Sequence, residues 1–171
     1  SITGGEYAIN GGAFTSAAGT VTSGQTITIR LTAPAANSTS ANAQITVGGV
    51  TATFTVTTKA DTTPDAFAFT AQTNAALNTE YTSNTITVTG IDAATPISVT
   101  GGTYSINGGA FTAAAETVSV NNIVVVKGTS TGASESTHNV VLTIGGVSAT
   151  YAITTIADTT PPVAEYKFPT P

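Results

Sequence analysis

Tyr104-Ser105-Ile106-Asn107-Gly108-Gly109-Ala110-Phe111-Thr112 has a near twin 97 residues earlier, Tyr7-Ala8-Ile9-Asn10-Gly11-Gly12-Ala13-Phe14-Thr15. Each reads as two short strands around an Asn-Gly turn, because asparagine and glycine tolerate the positive φ that a tight primed turn demands. Outward from the twins, Ser1–Asp65 aligns with Ser98–Pro162 without a gap, and 32 of the 65 positions are identical. Many differences are conservative: Arg30 with Lys127, Ile45 with Leu142, Phe54 with Tyr151, Val56 with Ile153. A repeat of this length is a domain rather than a solenoid turn of roughly 20–50 residues. Both copies end in Ala-Asp-Thr-Thr-Pro, at Ala60–Pro64 and Ala157–Pro161. Proline fixes its own φ and lacks a donor there, which suits a connector between domains. The expected division is a partial repeat at 1–60, a complete repeat at 61–157 and a tail at 158–171.

The complete repeat predicts strands at Phe67–Ala71, Asn84–Ile91, Pro96–Thr100, Thr103–Thr112, Glu116–Val120, Ile123–Gly128, Asn139–Ile144 and Val147–Thr155. The period of two over Asn84–Ile91, where threonine alternates with Ile86 and Val88, marks a half-buried strand. Asn121-Asn122 and Gly145-Gly146 supply further two-residue turns. Short antiparallel strands with turn signals every 8–12 residues or so give an all-β fold of tandem immunoglobulin-like β-sandwiches.

Composition agrees. Threonine is the commonest of the 171 residues, at 38, and favours strands over helices. A hydrophobic fraction of 40% with 8% charged residues excludes a highly charged disordered tail. The net charge of −5, with Arg30, Lys59, Lys127 and Lys167 as the cations, argues against a nucleic-acid partner, which needs a basic footprint. No apolar run approaches the roughly 18 residues of a membrane span, so no membrane insertion is expected. Without cysteine there is neither a disulfide nor a thiolate metal site. A chain that opens on Ser1 with no visible signal peptide reads as a processed or excerpted piece.

The first repeat begins in phase with Ser98, so it lacks counterparts of Asp61–Ile97, 37 residues that hold the first two strands. Their absence predicts a hydrophobic groove and an unpaired sheet edge. Two expectations follow: excerption from a longer array, or donor-strand complementation by a neighbouring subunit. In the tail, Val163, Tyr166 and Phe168 would anchor such a donated strand or open the next repeat.

The pieces Asp61–Phe67, Asn84–Ile91, Ile97–Gly109 and Leu142–Val147 resemble the tandem immunoglobulin-like or fibronectin-III-like repeats of large bacterial surface and secreted proteins. The resemblance runs up to Pro162 and departs from the pattern in the truncated first repeat and the drifted tail. It implies stalks and spacers of adhesins, surface filaments, or modules appended to exoenzymes, all extracellular or at the cell surface.

Few residues carry chemistry. His138 is the one imidazole, and its counterpart in the first repeat is Ala41, which argues for a loop residue over the base of a nucleophilic triad. Glu80, Glu116 and Glu135 are set at loops and strand ends, where solvated carboxylates are expected over a hydrolytic pair. The recurring acid is Asp61, matched by Asp158, with Asp65 and Asp92 placed toward the same end. Calcium takes six to eight oxygen ligands or so, which makes these four the calcium candidates, and similar bacterial repeats imply stiffening of this kind at their joints. An aspartate ahead of Thr-Thr-Pro is also an ordinary turn former. The glycine pairs have no helix after them and are turns, not phosphate cradles. Tyr7, Phe14, Phe54 and their partners suit core packing, with a sugar-stacking platform as the alternative. Asn37-Ser38-Thr39 is a formal glycosylation acceptor. The expected function is non-enzymatic: a structural module that extends, adheres or self-assembles, with neighbouring repeats or identical subunits as partners and no cofactor required. The alternative is a carbohydrate- or matrix-binding accessory module of a secreted enzyme, with a surface glycan or matrix as partner.

Overall fold

The computed structural model describes residues 1–159, and all 14 of its regular elements are strands. The chain divides into two compact units between Asp61 and Thr62. The tail positions Val163, Tyr166 and Phe168, expected above as strand anchors, lie outside the described residues.

In unit 1, β1 (Ile2–Thr3), β4 (Ser40–Val47) and β5 (Val50–Thr57) form an antiparallel sheet in the order β1-β4-β5. β2 (Glu6–Ile9) and β3 (Ile27–Arg30) form a separate antiparallel pair. Ile2, Tyr7, Ala43 and Ile45 are buried between them, with Ile9, Ile27, Ile29 and Leu31 half-buried around this small core.

Unit 2 holds β6 (Gln72–Ala75), β7 (Glu80–Thr82), β8 (Ile86–Thr87), β9 (Thr95–Thr100), β10 (Thr103–Ile106), β11 (Glu116–Val118), β12 (Ile123–Thr129), β13 (Thr137–Ile144) and β14 (Val147–Thr155). One sheet runs β11-β9-β13-β14-β6, with β6 parallel to β14; the other runs β10-β12-β7, with β8 also on β12. Fourteen buried residues drawn from both sheets make one core, so the unit is a β-sandwich.

The 37 residues Asp61–Ile97, which come before the stretch of unit 2 that aligns with unit 1, take their place in this frame. β7 and β8 pair with the same strand and are two halves of one interrupted strand. Ser83 sits in the interruption: its N–H donates to the Val126 carbonyl at 2.9 Å, and its Oγ accepts from the Val126 N–H at 3.0 Å. The segment Asp61–Ile97 thus supplies β6, the β7–β8 strand and the first half of β9.

Three local expectations change. The strand placed at Phe67–Ala71 begins only at Gln72. Phe67 and Phe69 pack against the core instead, ring centroids 6.3 Å apart, and the Thr70 N–H goes to the Asn84 side chain. The strand over Asn84–Ile91 shrinks to Ile86–Thr87. In the Thr103–Thr112 hairpin only the first arm is a strand; the second makes a single bridge, Tyr104 to Thr112. Asn107 Oδ1 accepts from the Ile123 N–H at 2.8 Å, tying the turn to β12.

The turn itself is as expected. Asn10 and Gly11 have φ of 49° and 72°, Asn107 and Gly108 of 51° and 74°, which is a primed turn. Each is closed by an i+3 hydrogen bond of 2.9 Å, Gly12 N–H to Ile9 O and Gly109 N–H to Ile106 O. Behind it, the Tyr7 hydroxyl donates to the Ala17 carbonyl at 2.9 Å and the Tyr104 hydroxyl to the Ala114 carbonyl at 2.7 Å. This latch lets a large ring be buried without stranding its hydroxyl.

Burial raises the Tyr104 phenol above its ordinary value, and the neighbouring Glu116 charge adds to the shift; burial, then Tyr81, does the same to Tyr151. A raised folded-state pKa stabilises fully below the unfolded value, about 10 for tyrosine, and is lost as pH rises through the folded value. The thermal midpoint of unit 2 is therefore expected to hold up to about pH 10 and then fall. Tyr104→Phe should make that alkaline fall shallower in a circular-dichroism melt series; an equally steep fall would remove Tyr104 as its cause.

Candidate functional site

Glu80 pairs with Lys127 at 3.0 Å. Glu116 is exposed on β11. Glu135 takes a left-handed turn position with φ of 52°, as its counterpart Ser38 does. His138 lies on β13 and its Nε2 is hydrogen-bonded to the Gly101 carbonyl.

The four aspartates are placed as follows. Asp61 Oδ2 accepts from Asn37 Nδ2 at 3.3 Å, which also accounts for the amide of the formal glycosylation motif. The Asp65 N–H donates to the Thr89 carbonyl at 2.9 Å, and its carboxylate lies against Gly90. Asp92 and Asp158 are exposed. Among the described residues no three His, Asp or Glu side chains come together as a metal-holding group.

The aromatic positions divide. Tyr7, Tyr104 and Tyr151 are buried. Phe14 and Phe111 lie beneath cations, with the Arg30 guanidinium 4.2 Å and the Lys127 ammonium 4.4 Å from the ring centroids. This paired cation–π contact was legible in the alignment, where two identical phenylalanines accompany an Arg-to-Lys exchange, but sequence reasoning did not connect them.

What stands out instead is the surface of unit 1. Phe54 is 41% exposed, whereas its counterpart Tyr151 is 2% exposed. Val47 is 37% exposed and Val50 74%, whereas Ile144, the counterpart of Val47, is fully buried. β5 has eight residues, Val-Thr-Ala-Thr-Phe-Thr-Val-Thr, with no charge and no proline, and its outer edge is unpaired in the sheet. Such an edge is a template for another strand.

Two grooves accompany it on unit 1. One, of about 330 Å³, is lined by Tyr7, Gly19, Val21, Ile27, Ile45 and Val47 among others. The corresponding Tyr104, Val118, Val124, Leu142 and Ile144 are all buried in the unit 2 core, in one cluster with Ile86, Val88, Ile91 and Ile97. The other groove, of about 520 Å³, runs along Gly4–Glu6 and Arg30–Thr32. Its counterpart on β12, Lys127–Thr129, is paired with Glu80–Thr82 of β7. In unit 2 the positions equivalent to both grooves are covered by residues of Asp61–Ile97.

No protein-family model matches the chain, and no curated protein matches it. Among solved structures it is similar to the crystal structure of S-layer protein SbsC domains 4 and 5, with 16% identity and a TM-score of 0.37 over 78% of this chain. It is also similar to the structure of surface layer protein SbsC, domains 4–9, with 18% identity and a TM-score of 0.35 over 84% of this chain. The chain spans 62% of the first of these and 20% of the second.

Melting curves in EDTA and in added calcium test the four aspartate candidates. Asp65→Asn and Asp92→Asn should each stay within about 0.5 kcal/mol of the parent in urea titrations. A calcium-dependent rise in melting temperature, lost in those variants, would establish a calcium site at these residues; equal midpoints in EDTA and calcium would remove it.

Proposed function

We propose that the chain is a non-enzymatic structural module of a bacterial extracellular surface protein or filament. It is built from immunoglobulin-like β-sandwich repeats that associate with neighbouring repeats or identical subunits by strand donation. The observation that carries this reading is the long, uncharged, unpaired edge of β5, accompanied by two open grooves on the same unit. What the two units share supports it further. They keep the turn asparagines, the tyrosine latch and the cation over the phenylalanine. The ionisable residues that could do chemistry are exchanged: His138 for Ala41, Glu116 for Gly19, Glu135 for Ser38. A selected activity would hold the second set, whereas a selected scaffold holds the first.

Sedimentation velocity and negative-stain electron microscopy test the reading. Concentration-dependent association into elongated species is expected. A sharp folded monomer at every concentration, joined to saturable sugar binding, would replace it with the accessory-module reading.

A further inference from the structure

The open face of unit 1 has a template for its cover in the same molecule. We infer that it is a docking site for a second copy of the chain's own Asp61–Ile97 segment. The inference rests on the strand-donation reading above and names the donor.

The chain holds one Asp61–Ile97 segment, and unit 2 uses it. Gln72 and Ala75 pair with Ile153 and Thr155, and the Ile156 N–H donates to the Ala75 carbonyl at 3.0 Å. Glu80–Thr82 and Ile86–Thr87 pair with β12, and the Gly145 N–H donates to the Pro96 carbonyl at 3.0 Å. Its apolar side chains Ile86, Val88, Ile91 and Ile97 complete the core. Unit 1 has a counterpart for every one of these docking positions: Val56 and Thr58 stand where Ile153 and Thr155 do, Lys59 for Ile156, Ile27–Leu31 for Val124–Gly128, Gly48 for Gly145.

Side-chain complementarity points the same way. On unit 2, Phe69 packs edge-on against Tyr151 at 6.3 Å, and the Tyr151 hydroxyl donates to the Thr82 carbonyl at 3.3 Å. Phe54 replaces that tyrosine with a ring that keeps the stacking surface and omits the hydroxyl, and it is left 41% exposed. The inward residues that are larger on unit 1 are Ile27 and Ile29 in place of Val124 and Val126, by one methylene each, and Leu31 in place of Gly128. Leu31 does not obstruct the site. Its neighbours shrink to match: a Cβ on Gly128 would lie 2.5 Å from Val140, where unit 1 has Ala43.

The tail is the competing donor, and its sequence fits less well. In repeat phase Pro169 falls at the place of Gln72. Proline has no N–H to give a ladder.

The test appends residues 61–97 ahead of Ser1 in the full chain, reproducing the Ile97–Ser98 junction, and follows amide hydrogen exchange with the parent chain as reference. Exchange along Ile27–Arg30 and Val50–Thr57 should slow at least about tenfold, the step that roughly 1.4 kcal/mol of cover produces. Phe54→Ser in the appended chain should reverse part of that protection on β5. Unchanged exchange in both stretches would overturn the inference. Equal protection of the parent by an added peptide of residues 160–171 would overturn the identity of the donor. Neither readout requires filaments, so the inference can fail while self-association stands, and the reverse.

Discussion

An unpaired strand edge exposes a row of N–H and C=O groups, and how each edge is closed decides how much of this chain can be core. In unit 2 the long strand β14, nine residues without a charge, lies inside the sheet between β13 and β6. The strands left at the edges are β6 and β11, four and three residues long. Short edges are one of the devices by which sheets avoid pairing with strangers. In unit 1 the equivalent long strand is itself the edge. The difference in cover carries through to the interior, from 14 buried core residues in one unit to four in the other.

Because nearly half of the aligned positions are identical, the units separate what is local from what needs cover. The Asn-Gly turn and the tyrosine latch are the same in both, since every partner lies within the shared residues. The exchange of Gly128 and Val140 for Leu31 and Ala43 is paired: the larger side chain on one strand meets a smaller one on its neighbour, which offsets part of the added volume. Phe54 and Val47 are apolar and exposed where their counterparts Tyr151 and Ile144 are buried. Loss of β11 in unit 1 has the same origin, since its partner in unit 2 is Thr95–Ile97 and unit 1 has no such residues.

Much of this was legible before any coordinates. Repetition pointed to the sandwich and to the phase of the truncation, because turn asparagines and glycines and a period of two are local signals. The interrupted strand was not legible, because the Ser83 side chain takes a bond from Val126 of β12 and the Asn84 side chain takes one from Thr70, partners that are distant in sequence. The shift from Phe67–Ala71 to Gln72–Ala75 was hidden for a similar reason: two aromatics in alternation read as a strand, yet they are spent on Tyr151 and the core.

The central claim is that unit 1 differs from unit 2 in cover and not in intrinsic fold. Native-state amide exchange at Phe54 and Tyr151 within one sample measures this directly. The account predicts that Tyr151 exchanges only with global unfolding of its unit, while Phe54 exchanges at least about a hundredfold faster. Equal protection at the two positions would contradict it.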